Sequence, residues 1–70
     1  MTIKTAVIGV GSMGKNHARI YWELPNADLV GVADFDQATA DIIANKYGTQ
    51  AYYDYRVLLD EAKPDAVTLA

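Results

Sequence analysis

The chain has no cysteine among its 70 residues. This absence excludes disulfide bridges, thiolate nucleophiles and cysteine-ligated metal sites. The one histidine, His17, has no carboxylate or cysteine at metal-ligand spacing. We therefore predict no metal site, and we favour a packed histidine over a ligand at this position.

Long apolar runs and clusters of positive charge are also missing. The longest run without a charged residue extends from Thr5 to Gly14, whereas a membrane-spanning helix needs about 20 apolar residues. The six lysine and arginine residues are scattered singly and the net charge is −3, which argues against a surface that holds nucleic acid. Residues 1–4 lead directly into an apolar segment without the features of a secretory signal. We expect a cytoplasmic protein that binds neither nucleic acid nor a membrane.

The chain is short for an independent domain. Its apolar fraction of 51% is sufficient for a globular core. A chain of about this length buries only about 60% of the surface that it exposes when unfolded, so its stability should be marginal without a partner. We interpret the segment as about half of an ordinary domain.

Segments with strand and helix character alternate along the chain. Apolar runs that are rich in valine and isoleucine or bounded by glycine predict strands, and apolar residues repeating every three or four positions predict helices. The predicted strands are residues 3–10, 28–33, 49–53 and 65–70, and the helices lie between them. This alternation indicates an α/β fold with a parallel sheet of about four strands, in the order 3-2-1-4, and three helices.

Two of these helices have well-marked ends and a predicted buried face. Asp36 and Asp54 are suited to cap the second and third helices, because a carboxylate accepts hydrogen bonds from free N–H groups of the first turn. The buried faces are predicted to be Ala40, Ile43, Ala44 and Tyr47 in the second helix, and Tyr55, Leu58, Leu59 and Ala62 in the third. We interpret Trp22, Tyr52, Tyr53 and Tyr55 as packing or edge residues.

Three glycines lie between the first strand and the first helix. Gly9 permits a tight turn, Gly11 lets a pyrophosphate approach the backbone, and Gly14 lets the helix pack close to the strand. The helix start then offers free N–H groups and the positive end of its dipole to phosphates. The alternative is a glycine turn that binds nothing. The position between strand and helix favours a dinucleotide-binding loop.

A carboxylate follows at the spacing that this loop requires. Asp34 ends the second strand, 20 positions after Gly14, where it can accept hydrogen bonds from the two hydroxyls of the adenine ribose. The same charge repels a 2′-phosphate, and neither Phe35 nor Asp36 supplies a compensating cation, so we predict NAD rather than NADP. The alternative is that Asp34 only starts a turn before Asp36. The pattern is that of half of a Rossmann dinucleotide-binding domain.

The same residues resemble the start of the Gfo/Idh/MocA oxidoreductases, which include glucose-fructose oxidoreductase and inositol dehydrogenase. The matching segments are residues 6–14 with His17, 32–36, 46–48, 52–55 with Leu58 and Leu59, and 64–67. The resemblance implies NAD(P)-dependent hydride transfer at a hydroxyl carbon of a sugar or polyol, and assembly as a homo-oligomer. The resemblance also implies that the cofactor is bound by Gly9, Gly11, Gly14 and Asp34. It implies that Ser12 and Met13 lie beside the dinucleotide.

Residues 1–70 do not include the catalytic motif of that family. The family's Glu-Lys-Pro motif, whose lysine assists proton transfer, lies downstream of the fourth strand and is absent from these residues. We therefore predict no catalytic residue among residues 1–70. We interpret these residues as the N-terminal part of a dinucleotide-binding domain, without the catalytic motif or the substrate domain. We expect them to be inactive alone. The alternatives are a non-catalytic nucleotide-sensing Rossmann module, and a homodimer that replaces the missing half through its open sheet edge.

Overall fold

The computed structural model describes residues 2–9, 11 and 14–70, and of Lys15 it describes the backbone alone. Strands and helices alternate as predicted; the first, third and fourth strands are shorter than predicted, and the second begins one residue earlier. The strands are β1 (Ile3–Ile8), β2 (Ala27–Ala33), β3 (Ala51–Tyr52) and β4 (Ala66–Leu69), and the helices are α1 (Gly14–Glu23), α2 (Gln37–Tyr47) and α3 (Tyr55–Ala62). The predicted start of the first helix at Ser12 lies outside the described residues.

The four strands form one parallel sheet in the order β3-β2-β1-β4. This confirms the predicted order 3-2-1-4. β1 pairs with β2 on one side and with β4 on the other, so the direction of winding reverses between β1 and β4. Because the strands are parallel, their carboxyl ends lie along one edge of the sheet, and this edge is where open α/β sheets bind ligands.

The two faces of the sheet carry separate apolar clusters. One cluster joins β1 and β2 to α1 and α2, and the other joins the same strands to α3. Neighbouring residues Ala6 and Val7 belong to opposite clusters, because successive side chains of a strand point to opposite faces. The clusters consist of Val7, Ala18, Leu29, Val32, Ile43 and Ala44 on one face, and Ala6, Ala33 and Leu58 on the other.

Helix α2 follows the sequence prediction closely. Its predicted inward residues Ala40, Ile43 and Ala44 are buried, and Tyr47 is half-buried against the same cluster. Its N-terminal cap is Asp36, as predicted, and Gly48 after its last turn has the left-handed conformation, with φ 65°. The N–H of Gly48 donates to the carbonyl of Ala44 and closes the helix.

Helix α3 buries less of its apolar surface than predicted. Leu58 is fully buried, whereas Leu59 is 40% exposed and Tyr55 is 43% exposed. Successive helical residues are about 100° apart, and the contact of α3 with the sheet is centred on Leu58, so the adjacent position turns away from it. The predictions that Leu59 and Tyr55 are buried are both wrong; the helical step explains the exposure of Leu59, whereas Tyr55 is exposed in the first turn of α3.

The N-terminal end of α3 is held by an aspartate and an arginine. Asp54 Oδ1 accepts from the backbone N–H of Arg56 at 2.9 Å, as predicted for a cap. The Arg56 guanidinium also donates to both carboxylate oxygens, at 3.0 and 2.7 Å. These hydrogen bonds from Arg56 lower the pKa of the Asp54 carboxyl group.

Leu58 and Leu59 form a matched pair for testing the packing of α3. We expect Leu58→Ala to lower the free energy of unfolding by about 2–5 kcal/mol, because it leaves a cavity in a fully buried position. A domain of this size is stable by only about 4–10 kcal/mol, so the substitution should remove a large share of its stability. Leu59→Ala should have a much smaller effect. Urea denaturation followed by circular dichroism measures both, and equal losses would contradict the packing described for α3.

Candidate functional site

A cleft of about 250 Å³ lies at the carboxyl edge of the sheet. The ends of β1, β2 and β4 form its floor, and the connection after β3 forms a wall. Its lining residues are Ile8, Gly9, Ala33, Asp34, Phe35, Tyr53, Tyr55, Leu69 and Ala70. Two of the residues predicted from sequence to bind a cofactor, Gly9 and Asp34, thus meet in one cleft at the point where the winding of the sheet reverses.

Gly9 occupies a narrow space between the ends of two strands. Its N–H donates to the carbonyl of Ala33 at the end of β2, at 2.7 Å. A Cβ atom at Gly9 would lie 2.9 Å from the carbonyl oxygen of Ala70, just beyond β4, and the residue has φ 86°. Both the left-handed backbone and the close contact require glycine.

Gly11 and Gly14 have opposite surroundings. Gly11 is exposed, and a Cβ atom there would have no neighbour within 4 Å among the residues that the structure describes. A Cβ atom at Gly14 would overlap the carbonyl group of Gly9, so α1 begins in direct contact with the end of β1. These surroundings fit the separate uses predicted for the three glycines. Ser12 and Met13, which were also predicted to border a cofactor, lie outside the described residues.

Asp34 is half-buried at the end of β2, and both its backbone and its side chain are held in place. Its N–H donates to the carbonyl of Tyr52 at 3.0 Å. Its Oδ1 accepts from the N–H of Asp36 at 2.9 Å, which is the turn considered from sequence as an alternative. This bond orients the side chain in the cleft. Because an ionised carboxylate has about four lone-pair sites, the bond is compatible with binding a hydroxyl as well.

The aromatic residues of the cleft were missed by the sequence interpretation. Phe35, Tyr53 and Tyr55 line it, and Phe35 is 76% exposed. Tyr52 and Trp22 do pack, as interpreted: the ring of Tyr52 covers Gly31, and the ring of Trp22 lies 5.4 Å from that of Tyr47. Their positions in the sequence could have predicted that they line the cleft, because Phe35 and Tyr53 both follow the carboxyl end of a parallel strand within two residues.

One residue of the cleft is hydrogen-bonded to helix α2. The hydroxyl of Tyr53 donates to Oδ1 of Asp41 in α2, at 2.6 Å. This hydrogen bond to a carboxylate raises the pKa of the Tyr53 phenol above its ordinary value. The bond joins the β3–α3 connection to α2 across 12 positions of the sequence.

Two other kinds of site are absent from the part of the chain that the structure describes. No group of three or more histidine or acidic side chains there could hold a metal ion. His17 is half-buried on α1. No helix among these residues has the length and apolar character needed to cross a membrane.

The fold and the cleft define a Rossmann-type nucleotide-binding unit. Residues 3–70 match the family model GFO_IDH_MocA, described as an oxidoreductase family with an NAD-binding Rossmann fold. The chain therefore belongs to the Gfo/Idh/MocA family, as its sequence indicated.

Three relatives show what kinds of protein contain a similar segment. The chain is 37% identical over its whole length to inositol 2-dehydrogenase/D-chiro-inositol 3-dehydrogenase of Shouchella clausii, covering 21% of that protein. It is 33% identical to Lactobacillus casei myo-inositol dehydrogenase in complex with NAD(H) and myo-inositol, with a TM-score of 0.87, covering 100% of this chain and 22% of that one. It is 31% identical to glycosyl hydrolase family 109 protein 1 of Akkermansia muciniphila, over 93% of this chain and 16% of that protein. The chain thus spans about a fifth of the length of the relatives it matches.

The different surroundings of Gly11 and Gly14 predict different stabilities for their alanine variants. Gly14→Ala should lower the free energy of unfolding by about 1–3 kcal/mol, because the methyl group forces α1 away from β1. Gly11→Ala should change it by no more than about 0.5 kcal/mol, as at an exposed surface position. Thermal denaturation measures both variants. A Gly14→Ala protein as stable as the unsubstituted chain would contradict the close contact between α1 and β1.

Proposed function

We propose that residues 1–70 are the N-terminal, NAD-binding part of the dinucleotide-binding domain of an oxidoreductase. The parent protein would transfer hydride between a sugar- or polyol-type hydroxyl and the nicotinamide cofactor. The observation that carries the proposal is the meeting of Gly9 and Asp34 in one cleft at the reversal of the sheet. The named substrates of the inositol dehydrogenase relatives support the substrate class.

The residues of the cleft fit the adenosine and pyrophosphate parts of a dinucleotide. Asp34 would accept hydrogen bonds from the ribose hydroxyls, while the amides at the start of α1 and the open backbone at Gly11 would receive the phosphates. Ser12 and Met13 would border the same loop. Ligand pockets usually measure about 300–1,000 Å³, so a cleft of about 250 Å³ suits one nucleoside rather than the whole cofactor.

We assign no catalytic role to these residues. Hydride transfer is the chemistry of the bound nicotinamide, and the protein must add a group within hydrogen-bond reach of the substrate hydroxyl. In the family, that group belongs to a Glu-Lys-Pro motif beyond the fourth strand. We therefore place catalysis and substrate choice in a parent protein outside residues 1–70, and we infer that this parent is cytoplasmic and homo-oligomeric.

Loss of NAD binding in a Gly11→Val variant tests the binding loop. The valine side chain would occupy the open space at Gly11 that the pyrophosphate needs, so we expect no measurable binding of NAD by isothermal titration calorimetry. Far-UV circular dichroism should be unchanged, because no atom of the described part of the chain lies within 4 Å of the added Cβ. Asn45→Ala, on the exposed face of α2, is the control and should bind like the unsubstituted chain. Normal NAD binding by Gly11→Val would show that the loop is assigned wrongly.

The preference between NAD and NADP tests the role of Asp34. We expect the chain to bind NAD more tightly than NADP, and Asp34→Ala to weaken NAD binding about 10- to 150-fold, since each hydrogen bond to a charged group contributes about 1.5–3 kcal/mol. Binding of NADP should weaken less or improve, because a repulsive charge is removed. Asp28→Asn is the control: it removes the same charge at the start of β2, on the opposite edge of the sheet. Tighter binding of NADP than NAD by the unsubstituted chain would refute the predicted preference.

A further inference from the structure

Tyr53 lies between two elements but belongs to neither. It follows β3, which has only two residues, and precedes Asp54, the cap of α3. The carbonyl of the preceding residue, Tyr52, accepts from the N–H of Asp34 at 3.0 Å. The backbone beside Tyr53 is therefore fixed next to the carboxylate predicted to bind ribose, and its side chain lines the same cleft.

The orientation of the Tyr53 ring depends on a contact outside the cleft. The ring is half exposed and is not a member of either apolar cluster, so apolar packing alone does not select one orientation. Its hydroxyl donates to the carboxylate of Asp41 at 2.6 Å. A hydrogen bond to an ionised acceptor is shorter and stronger than one between neutral groups, and this one connects the cleft wall to the second turn of α2.

We propose that Asp41 is a positioning residue that holds the Tyr53 ring as a wall of the cleft and thereby raises affinity for the adenine nucleoside part of the cofactor. This inference rests on the proposed function, because it assumes that the cleft receives a nucleoside. Asp41 itself does not line the cleft and acts through Tyr53. The tyrosine ring offers an apolar face to a base, and base–aromatic stacking is a known source of nucleotide affinity.

The test is a double-mutant cycle with two ligands. Tyr53→Phe keeps the ring and removes the donor, Asp41→Ala removes the acceptor, and the double variant removes both. We expect each single variant to weaken AMP binding about 3- to 10-fold, and the double variant to be no weaker than the singles, because all three lose the same bond. Affinity for inorganic pyrophosphate, which does not use the wall, should be unchanged. Titrations followed by NMR amide shifts measure both ligands.

Tyr47→Phe is the matched control, because Tyr47 lies on α2 and faces Trp22 rather than the cleft. It should bind AMP normally. Equal AMP affinities for all variants, or parallel losses for AMP and pyrophosphate, would overturn the positioning role while leaving NAD binding by the unsubstituted chain intact. Failure of the unsubstituted chain to bind either AMP or NAD would instead overturn the proposed function, and this inference with it.

Discussion

The close contact between the backbone at Gly9 and the first residue of α1 is the constraint on which the rest of the structure depends. A side chain at Gly14 would overlap the carbonyl group of Gly9, and a side chain at Gly9 would press on the carbonyl of Ala70. Because neither glycine carries a Cβ, α1 starts against the end of β1. It can then lie along the sheet and bury Ala18 against Val7. The same contact places the first amides of the helix at the edge where the cleft forms.

The cleft is built from segments that are distant in the sequence. The floor comes from the ends of three strands, and the aromatic walls come from Phe35, Tyr53 and Tyr55. None of the lining residues that the structure describes is basic, in agreement with the net charge of −3. A phosphate group at this edge would therefore rely on backbone amides and the dipole of α1 rather than on lysine or arginine.

Local patterns predicted some elements better than others for identifiable reasons. The buried face of α2 was predicted correctly, because Ala40, Ile43 and Ala44 are all buried where this helix packs against β2, β3 and α1. The same spacing in α3 overestimated burial, because Leu58 is the one residue of that helix that is buried. Periodicity identifies an apolar stripe, but the width of the surface opposite it decides how much of the stripe is covered.

The sequence by itself determined the order of the elements, the parallel sheet and the positions of the loop glycines and Asp34, because these depend on short-range patterns and on the handedness of the crossovers. Only the tertiary structure decided which side chains surround the cleft. Tyr53 looked like an edge residue in the sequence, and its bond to Asp41 spans two elements. Such a contact depends on how α2 and the β3–α3 connection approach one another in space, and no local pattern of residues encodes that distance.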